Sequence, residues 1–382
     1  MNKHQCHNEL VSQVAAFADD NIAPVAGSWF TGASEPTKIY KQASELGLLG
    51  LEVPKSNGGL GVSFSEKVKC CEVLAGADFG IAMSLVNTHN VAARLVKSAP
   101  ENLQDTYLPK LLNGETSACT ALTEPSAGTD VAAVQCRATQ SGDSWVLSGE
   151  KTWIVNARHA GLSVVFAQCG SQTGADHIGA FLVDLTRDGV ERYPIDTEFS
   201  QNSLGTGGFK LKNVRVNNEC LLMRPGHAFK EILTEINGAR IYVAAMCLGM
   251  LKTALQQTKK YGERRSTFGK PLSSHPSWQT ALLDVAKIVF SLDQLIDRAI
   301  DQYEQGDDSQ LLAAKSKIES VEACQKHLPL LLHAMGAEGL KPHHCFSRHL
   351  AAVQIAGLTD GATSMLKMRV DKLTAKQTEH MG

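Results

Sequence analysis

A change of period constrains this chain more than any other feature. From about 117 to 224 apolar residues recur at every second position, whereas before and after that stretch they recur at steps of three and four. A period of two turns one face of a strand to a core, and steps of three and four turn one stripe of a helix to it. Each pattern buries itself best against its own kind. The expected fold is therefore an N-terminal all-α domain (1–116), a middle β-barrel or sandwich domain (117–225) and a C-terminal four-helix bundle (226–382). A length of 382 residues supports two or three domains with a sizeable core.

Within the first region, Leu10, Val14 and Phe17 share one helical face, and Ile39, Ala43, Leu46 and Leu49 share another. The stretch 68–96 reads as continuing helix, separated from the earlier ones by the glycine-rich turn 54–61. In the middle region, strands are expected at 136–138, 144–148, 162–168, 178–185 and 209–216, the first two flanking the hairpin composition Ser141-Gly142-Asp143. Neither 54–61 nor 205–208 sits between a strand and a helix with phosphate-loop spacing, so neither is read as a dinucleotide cradle. Beyond 226, stripes through Ile232, Ile236, Val243 and Met250, then Leu282, Val285, Leu292 and Ile296, give long helices, with further ones at 311–332 and 349–373.

A net charge of -2 without a basic run argues against a nucleic-acid or anionic-membrane surface. The ten cysteines are scattered without a C-x-x-C pair, and 1–26 holds no apolar core long enough for a signal peptide or a membrane span. A cytoplasmic protein with reduced thiols and no cysteine zinc site is expected. His343, His344, Cys345 and His349 have spacings that could hold a metal, but no other ligand converges on them by sequence, so they are read as a surface or loop cluster with no metal.

Two stretches carry chemistry. Ala121-Leu122-Thr123-Glu124-Pro125-Ser126-Ala127-Gly128-Thr129-Asp130 has the hydroxyls, acids, proline and glycine of a shaped loop that can meet a polar ligand. Lys151-Thr152-Trp153-Ile154-Val155-Asn156 puts a broad ring in a strand-like run, where it can cover an aromatic cofactor or fill a core. Together they resemble the T-E-P-x-A-G-[ST]-D loop and K-x-W-I-x-N strand of the acyl-CoA dehydrogenase family, whose middle domain holds FAD. Tyr261-Gly262-Glu263-Arg264-Arg265-Ser266-Thr267-Phe268-Gly269 resembles the family's E-R-x-x-F-G segment, with one extra residue after Glu263. His333-Ala334-Met335-Gly336-Ala337-Glu338-Gly339 resembles its Q-x-x-G-G-x-G loop, and Thr359-Asp360-Gly361-Ala362-Thr363 its E-G-T segment.

The resemblance implies flavin-dependent α,β-dehydrogenation of an acyl thioester carried on coenzyme A or an acyl-carrier protein. It implies Asp360 as the base, where relatives have glutamate, and Arg240, Asn237 and Thr129 at the substrate. The implied FAD contacts are Thr120, Leu122, Thr123, Gly128, Thr129, Trp153, Val155 and Ala362, with Arg265 reaching the pyrophosphate of a neighbouring subunit, Phe268 packing beside it, and His333, Gly336 and Ala337 on the adenine side. A homodimer or homotetramer passing electrons to electron-transfer flavoprotein or another acceptor is implied as well. Three positions depart from the pattern: Val155 cannot donate the hydrogen bond that Thr or Ser gives near the flavin N5, His333 replaces Gln, and Ala337 replaces Gly. Alternatives on the same fold are a nitroalkane-oxidase-like flavoenzyme, which also uses Asp, and a non-catalytic thioester- or protein-binding module. A DNA-binding relative is set aside, since a pI near 6.7 promises no basic surface.

Overall fold

The computed structural model describes residues 3–381 apart from Glu35, Thr37, Asp196, Glu198, Ser200 and Gln201, with side chains between 9 and 375. The N-terminal helices are α1 (Lys3–Phe17), α2 (Ala26–Phe30), α3 (Ile39–Glu45), α4 (Phe64–Ala77), α5 (Phe79–Ser98) and α6 (Glu101–Leu112). The expected helix at 68–96 is broken at Asp78, whose extended backbone ends α4. Its carboxylate accepts from the Ile81 amide at 2.8 Å, capping α5.

Among the described residues, eight strands form one mixed sheet: β1 (Ala118–Ala121), β2 (Arg137–Ser141), β3 (Ser144–Ile154), β4 (Leu162–Cys169), β5 (Ile178–Asp184), β6 (Val190–Pro194), β7 (Gly207–Asn217) and β8 (Leu221–Met223). The order is β6-β7-β3-β2-β4-β5-β8, and β1 pairs in parallel with the first half of β4 while β2 pairs in parallel with its end. The central β4 is buried on both faces, which explains why it reads as a continuous apolar run. The expected hairpin joins β2 to β3, with Gly142 at φ 60.

The rest is helical: α7 (Ala228–Arg264), a small hairpin of β9 (Ser266–Thr267) and β10 (Lys270–Pro271), then α8 (Pro276–Glu304), α9 (Gln310–Ala334), α10 (Phe346–Leu358) and α11 (Thr363–Met381). The expected helix 349–373 is split at 359–362, the segment that carries Asp360. The long α7 is apolar enough to cross a bilayer, but 83% of its most apolar window is buried inside the protein, as in a core helix. It crosses α4 closely, since a Cβ on Gly249 would meet the Glu72 carbonyl oxygen at 2.0 Å. Between sheet and helices, the buried Asn156 amide donates to the carbonyls of Ser84 at 2.8 Å and Ala118 at 2.9 Å. One side chain thus ties the end of β3 to α5 and β1.

Candidate active site

Sheet and bundle face one another across a cavity of about 1190 Å³. From the sheet side Thr120, Leu122, Thr123, Gly128, Thr129, Trp153 and Val155 line it; from the helices, Asn237, Arg240, Asp360 and Ala362 do. These sequence-predicted residues come from four separate stretches, and the fold brings them to one space.

The loop and strand of the first motif are bound to each other by the residues left without a ligand role. Lys151 Nζ donates to the Leu122 carbonyl at 3.0 Å and to Glu124 Oε1 at 2.7 Å, and both charged side chains are buried. Glu124 also accepts from the amides of Gln135 and Cys136. The Thr152 amide donates to the Thr123 carbonyl at 3.1 Å. A buried charge needs its partner, so the acid of one stretch and the lysine of the other form a single latch, which was not anticipated from sequence. The co-occurrence of the two stretches was the available signal.

Trp153 follows directly. Its backbone is left-handed (φ 57), an uncommon state for a bulky residue, and its ring is 58% exposed beside the cavity instead of buried under the sheet. Of the two readings of the ring, the core-filling one does not hold. Val155, half-buried on the cavity wall, presents methyl groups where a donor was noted as missing.

Asp360 also has a left-handed backbone (φ 53), in the break between α10 and α11. Arg240 Nε donates to the Asp360 carbonyl at 3.0 Å and Arg240 Nη1 to Asn237 Oδ1 at 2.9 Å, so the guanidinium holds the peptide and leaves the carboxylate to the cavity. Burial pushes the Asp360 carboxyl above the ordinary aspartate range, opposed by the charges of Arg240 and Lys317. Lys317 fixes the other side of the break, donating to the carbonyls of Gly357 at 3.0 Å and Gly361 at 2.8 Å. Burial lowers its ammonium to about 8, and Asp360 opposes the fall. Sequence reasoning passed over Lys317. Its signal is a charge on the apolar stripe Ala313, Lys317, Val321, Cys324 and Leu328 of α9.

A further wall of the cavity was missed as well. Glu52, Lys67, Asn90, Tyr242 and Tyr303 line it beside Phe64. Lys67 pairs with Glu52 Oε2, His89 Nε2 lies 3.1 Å from the same oxygen, and Asn90 Nδ2 donates to the Tyr242 hydroxyl at 3.3 Å. Lys67 falls on the apolar face Phe64, Lys67, Cys71 and Leu74 of α4, which was its available signal.

Arg265, Phe268, His333, Gly336 and Ala337 stand apart from the cavity, exposed at one end of the bundle. Trp278 joins their two segments: its Nε1 donates to the Ala334 carbonyl at 3.1 Å, and its ring packs against Gly262. Phe268 is 94% exposed on a left-handed backbone (φ 51). The histidine cluster divides: Cys345 and His349 turn into the core, and Glu338, read in the sequence only as part of the loop 333–339, joins His343 and His344, with their ligand atoms within 4.8 Å of one another. The expectation that no further ligand converges there is therefore corrected.

A flavin fits these residues. The cavity is large enough for a bulky cofactor, its sheet wall offers threonine hydroxyls and an open glycine, since a Cβ on Gly128 meets nothing within 4 Å, and Trp153 presents a free ring face. Binding pockets have this composition of apolar lining with a few placed polar groups.

Comparison with known proteins agrees. Residues 4–115 match the family described as acyl-CoA dehydrogenase, N-terminal domain; 119–214 match the middle domain, and 226–373 the C-terminal domain. The chain is 27% identical over 366 residues to the mitochondrial short-chain specific acyl-CoA dehydrogenase of Rattus norvegicus, covering 95% of this chain and 89% of that one. Among solved structures, butyryl-CoA dehydrogenase from Megasphaera elsdenii superposes with a TM-score of 0.91 at 24% identity, covering 98% and 99% of the two chains. A glutaryl-CoA dehydrogenase from Mycobacterium smegmatis, in complex with FADH2, gives 0.90 at 23% identity, covering 98% and 95%. Three successive matches spanning most of the chain leave one assignment: it belongs to the acyl-CoA dehydrogenase family.

Proposed function

We propose that this protein is an FAD-dependent dehydrogenase that forms the α,β double bond of an acyl-CoA thioester, with Asp360 as the base. The single observation that carries this reading is the placement of Asp360 and Trp153 on the same cavity, one from the helices and one from the sheet. Bound FAD supplies the acceptor for the β-hydride. Asp360 takes the α-proton, and burial suits it by raising its proton affinity towards that of the acid it opposes. Arg240 and Lys317 hold the two flanks of its loop, which keeps the carboxylate at a fixed height over the thioester. Trp153 shields the reacting face from water, and Thr123 and Thr129 offer hydroxyls to the cofactor and substrate. Arg265 would pair a pyrophosphate of the neighbouring subunit, which is why a homo-oligomer belongs to the reading; electron-transfer flavoprotein is the acceptor it implies. A cytosolic, reducing placement belongs to the same reading, in keeping with free thiols at the described cysteines.

The test is an absorbance spectrum of purified protein, then anaerobic titration with acyl-CoA thioesters for wild type and Asp360→Asn. Bleaching of the flavin band by a thioester, lost in the variant, is the expected result. Flavin that only a nitroalkane reduces, or protein that stays colourless after FAD is added, would overturn it in favour of oxidation of another carbon acid or of plain binding.

A further inference from the structure

The wall formed by Glu52, Lys67, Asn90, Tyr242 and Tyr303 has no part in holding Asp360 or the cofactor loop. An alkyl chain wants such a wall apolar, because each polar group it covers loses water without gaining a partner, at a cost of ~1–3 kcal/mol. Here the wall instead carries a charge pair, an amide and two phenols.

The two charges of the pair are not equally accessible. The Lys67 side chain is 7% exposed, with its ammonium pointed at Glu52 and stacked over the rings of Phe64, 5.0 Å away, and Tyr242, 5.7 Å away. The Glu52 side chain is 29% exposed and lines the cavity. Its Oε2 takes both Lys67 and His89, while among the described residues no donor meets its Oε1. Burial would raise the Glu52 carboxyl, but Lys67 and His89 hold it down to about 2, so it is an anion at any working pH. The cation is occupied and the acceptor is open. The phenols are close by: Tyr303 packs tilted against Phe64 at 4.3 Å between ring centroids and feels the Glu52 charge, and Tyr242 lies two residues along α7 from Arg240, within the field of Asp360. The wall and Asp360 thus line one cavity, with Tyr242 close enough to Asp360 to feel its charge.

We infer that the preferred substrate is an acyl-CoA whose chain carries a hydrogen-bond donor, a hydroxyl or an amino group, that binds Glu52 Oε1 on this wall. The inference rests on the dehydrogenase reading above. A plain alkyl chain would cover Glu52 Oε1 without giving it a partner, and a carboxylate-ended chain would meet an anion.

The test uses the FAD-loaded enzyme and sets of acyl-CoA thioesters of equal length ending in methyl, hydroxyl, amino or carboxylate. The readout is kcat/KM with a dye acceptor and the anaerobic rate of flavin bleaching. The expected result is that the hydroxyl- or amino-ended member exceeds its methyl counterpart by at least about 10-fold in kcat/KM. Glu52→Gln keeps an acceptor for Lys67 and is expected to lower the amino-to-hydroxyl ratio by roughly 10-fold, since it removes the charge alone. Glu52→Leu combined with Lys67→Met removes both charges, leaves no buried ion unpaired, and is expected to turn the preference towards methyl. Equal or faster reduction by methyl- or carboxylate-ended thioesters in the wild type, or ratios unmoved in both variants, would overturn the inference while the dehydrogenase stands. Flavin that no member reduces would overturn the dehydrogenase reading itself, and this inference with it.

Discussion

Replacing Lys151 with Met tests whether the latch between the loop 121–130 and the strand β3 is electrostatic. The change keeps an unbranched side chain of similar length, so little packing is lost, but it strips the counter-charge from Glu124, whose side chain is 3% exposed. Glu124 keeps the two amides of Gln135 and Cys136, and the Leu122 carbonyl loses its ammonium donor. Removing one partner of a buried ion pair costs ~3–5 kcal/mol, a range that already includes much of the carbonyl's loss, so about 4 kcal/mol is expected. Urea unfolding followed by tryptophan fluorescence, with FAD held at a fixed concentration, measures it in the transition that contains the middle domain. The double variant Lys151→Met with Glu124→Gln removes the stranded charge while leaving an acceptor for one amide, and is expected to recover about 2 kcal/mol. A loss below about 1 kcal/mol in the single variant, or a double variant no more stable than the single, would refute the reasoning.

Other substitutions probe the cavity. Asp360 must be ionised to act, and its affinity for the proton is raised by burial, so the rate of flavin reduction is expected to fall as pH drops through a value above the ordinary aspartate range of about 3.9; Asp360→Asn removes both the rate and that limb. The sign for stability is opposite to that of a salt-bridged acid: a carboxyl whose folded-state pKa is raised costs its full amount above that pKa, and the cost shrinks as pH falls below it and is gone below the unfolded value of about 3.9. Asp360→Asn is therefore expected to raise the melting temperature at pH 7 but not at acid pH, as differential scanning fluorimetry would show. Val155→Thr restores a donor worth ~1 kcal/mol and is expected to raise the two-electron flavin potential by roughly 20 mV in a dye-coupled titration. Arg265→Ala is expected to weaken FAD binding by about 10-fold or more without changing the bleaching rate of protein saturated with FAD, since Arg265 stands outside the cavity.

The layered fold was legible because period is a local property: β4 and α7 declare themselves by composition over windows longer than a turn. Breaks were less legible. Asp78 ends one helix and caps the next within an unbroken apolar pattern, and only its side-chain bonds mark the boundary. The short strands β6 and β8 carry too few residues to show alternation. Cavity residues inside motifs were found at their numbers, whereas Glu52, Lys67 and Lys317 belong to no motif. Lys67 and Lys317 join the site through the packing of α4 and α9 on α7, and Glu52, in the loop before α4, through its pair with Lys67, none of which spacing along the chain encodes. The left-handed backbones at Trp153, Phe268 and Asp360 were invisible for the same reason: no glycine marks those positions, and the surrounding structure imposes the conformation.

The bend at Asp360 has a consequence for how the base can be exchanged. Aspartate and asparagine tolerate a left-handed backbone better than longer side chains because their short polar groups can bond locally. A glutamate at this position would gain a methylene of reach towards the substrate and lose some of that tolerance, with both flanks already pinned by Arg240 and Lys317. The identity of the acid and the shape of the loop are thus a single inherited choice. Interconverting the two acids is therefore a matter of loop shape as well as of side-chain length at residue 360.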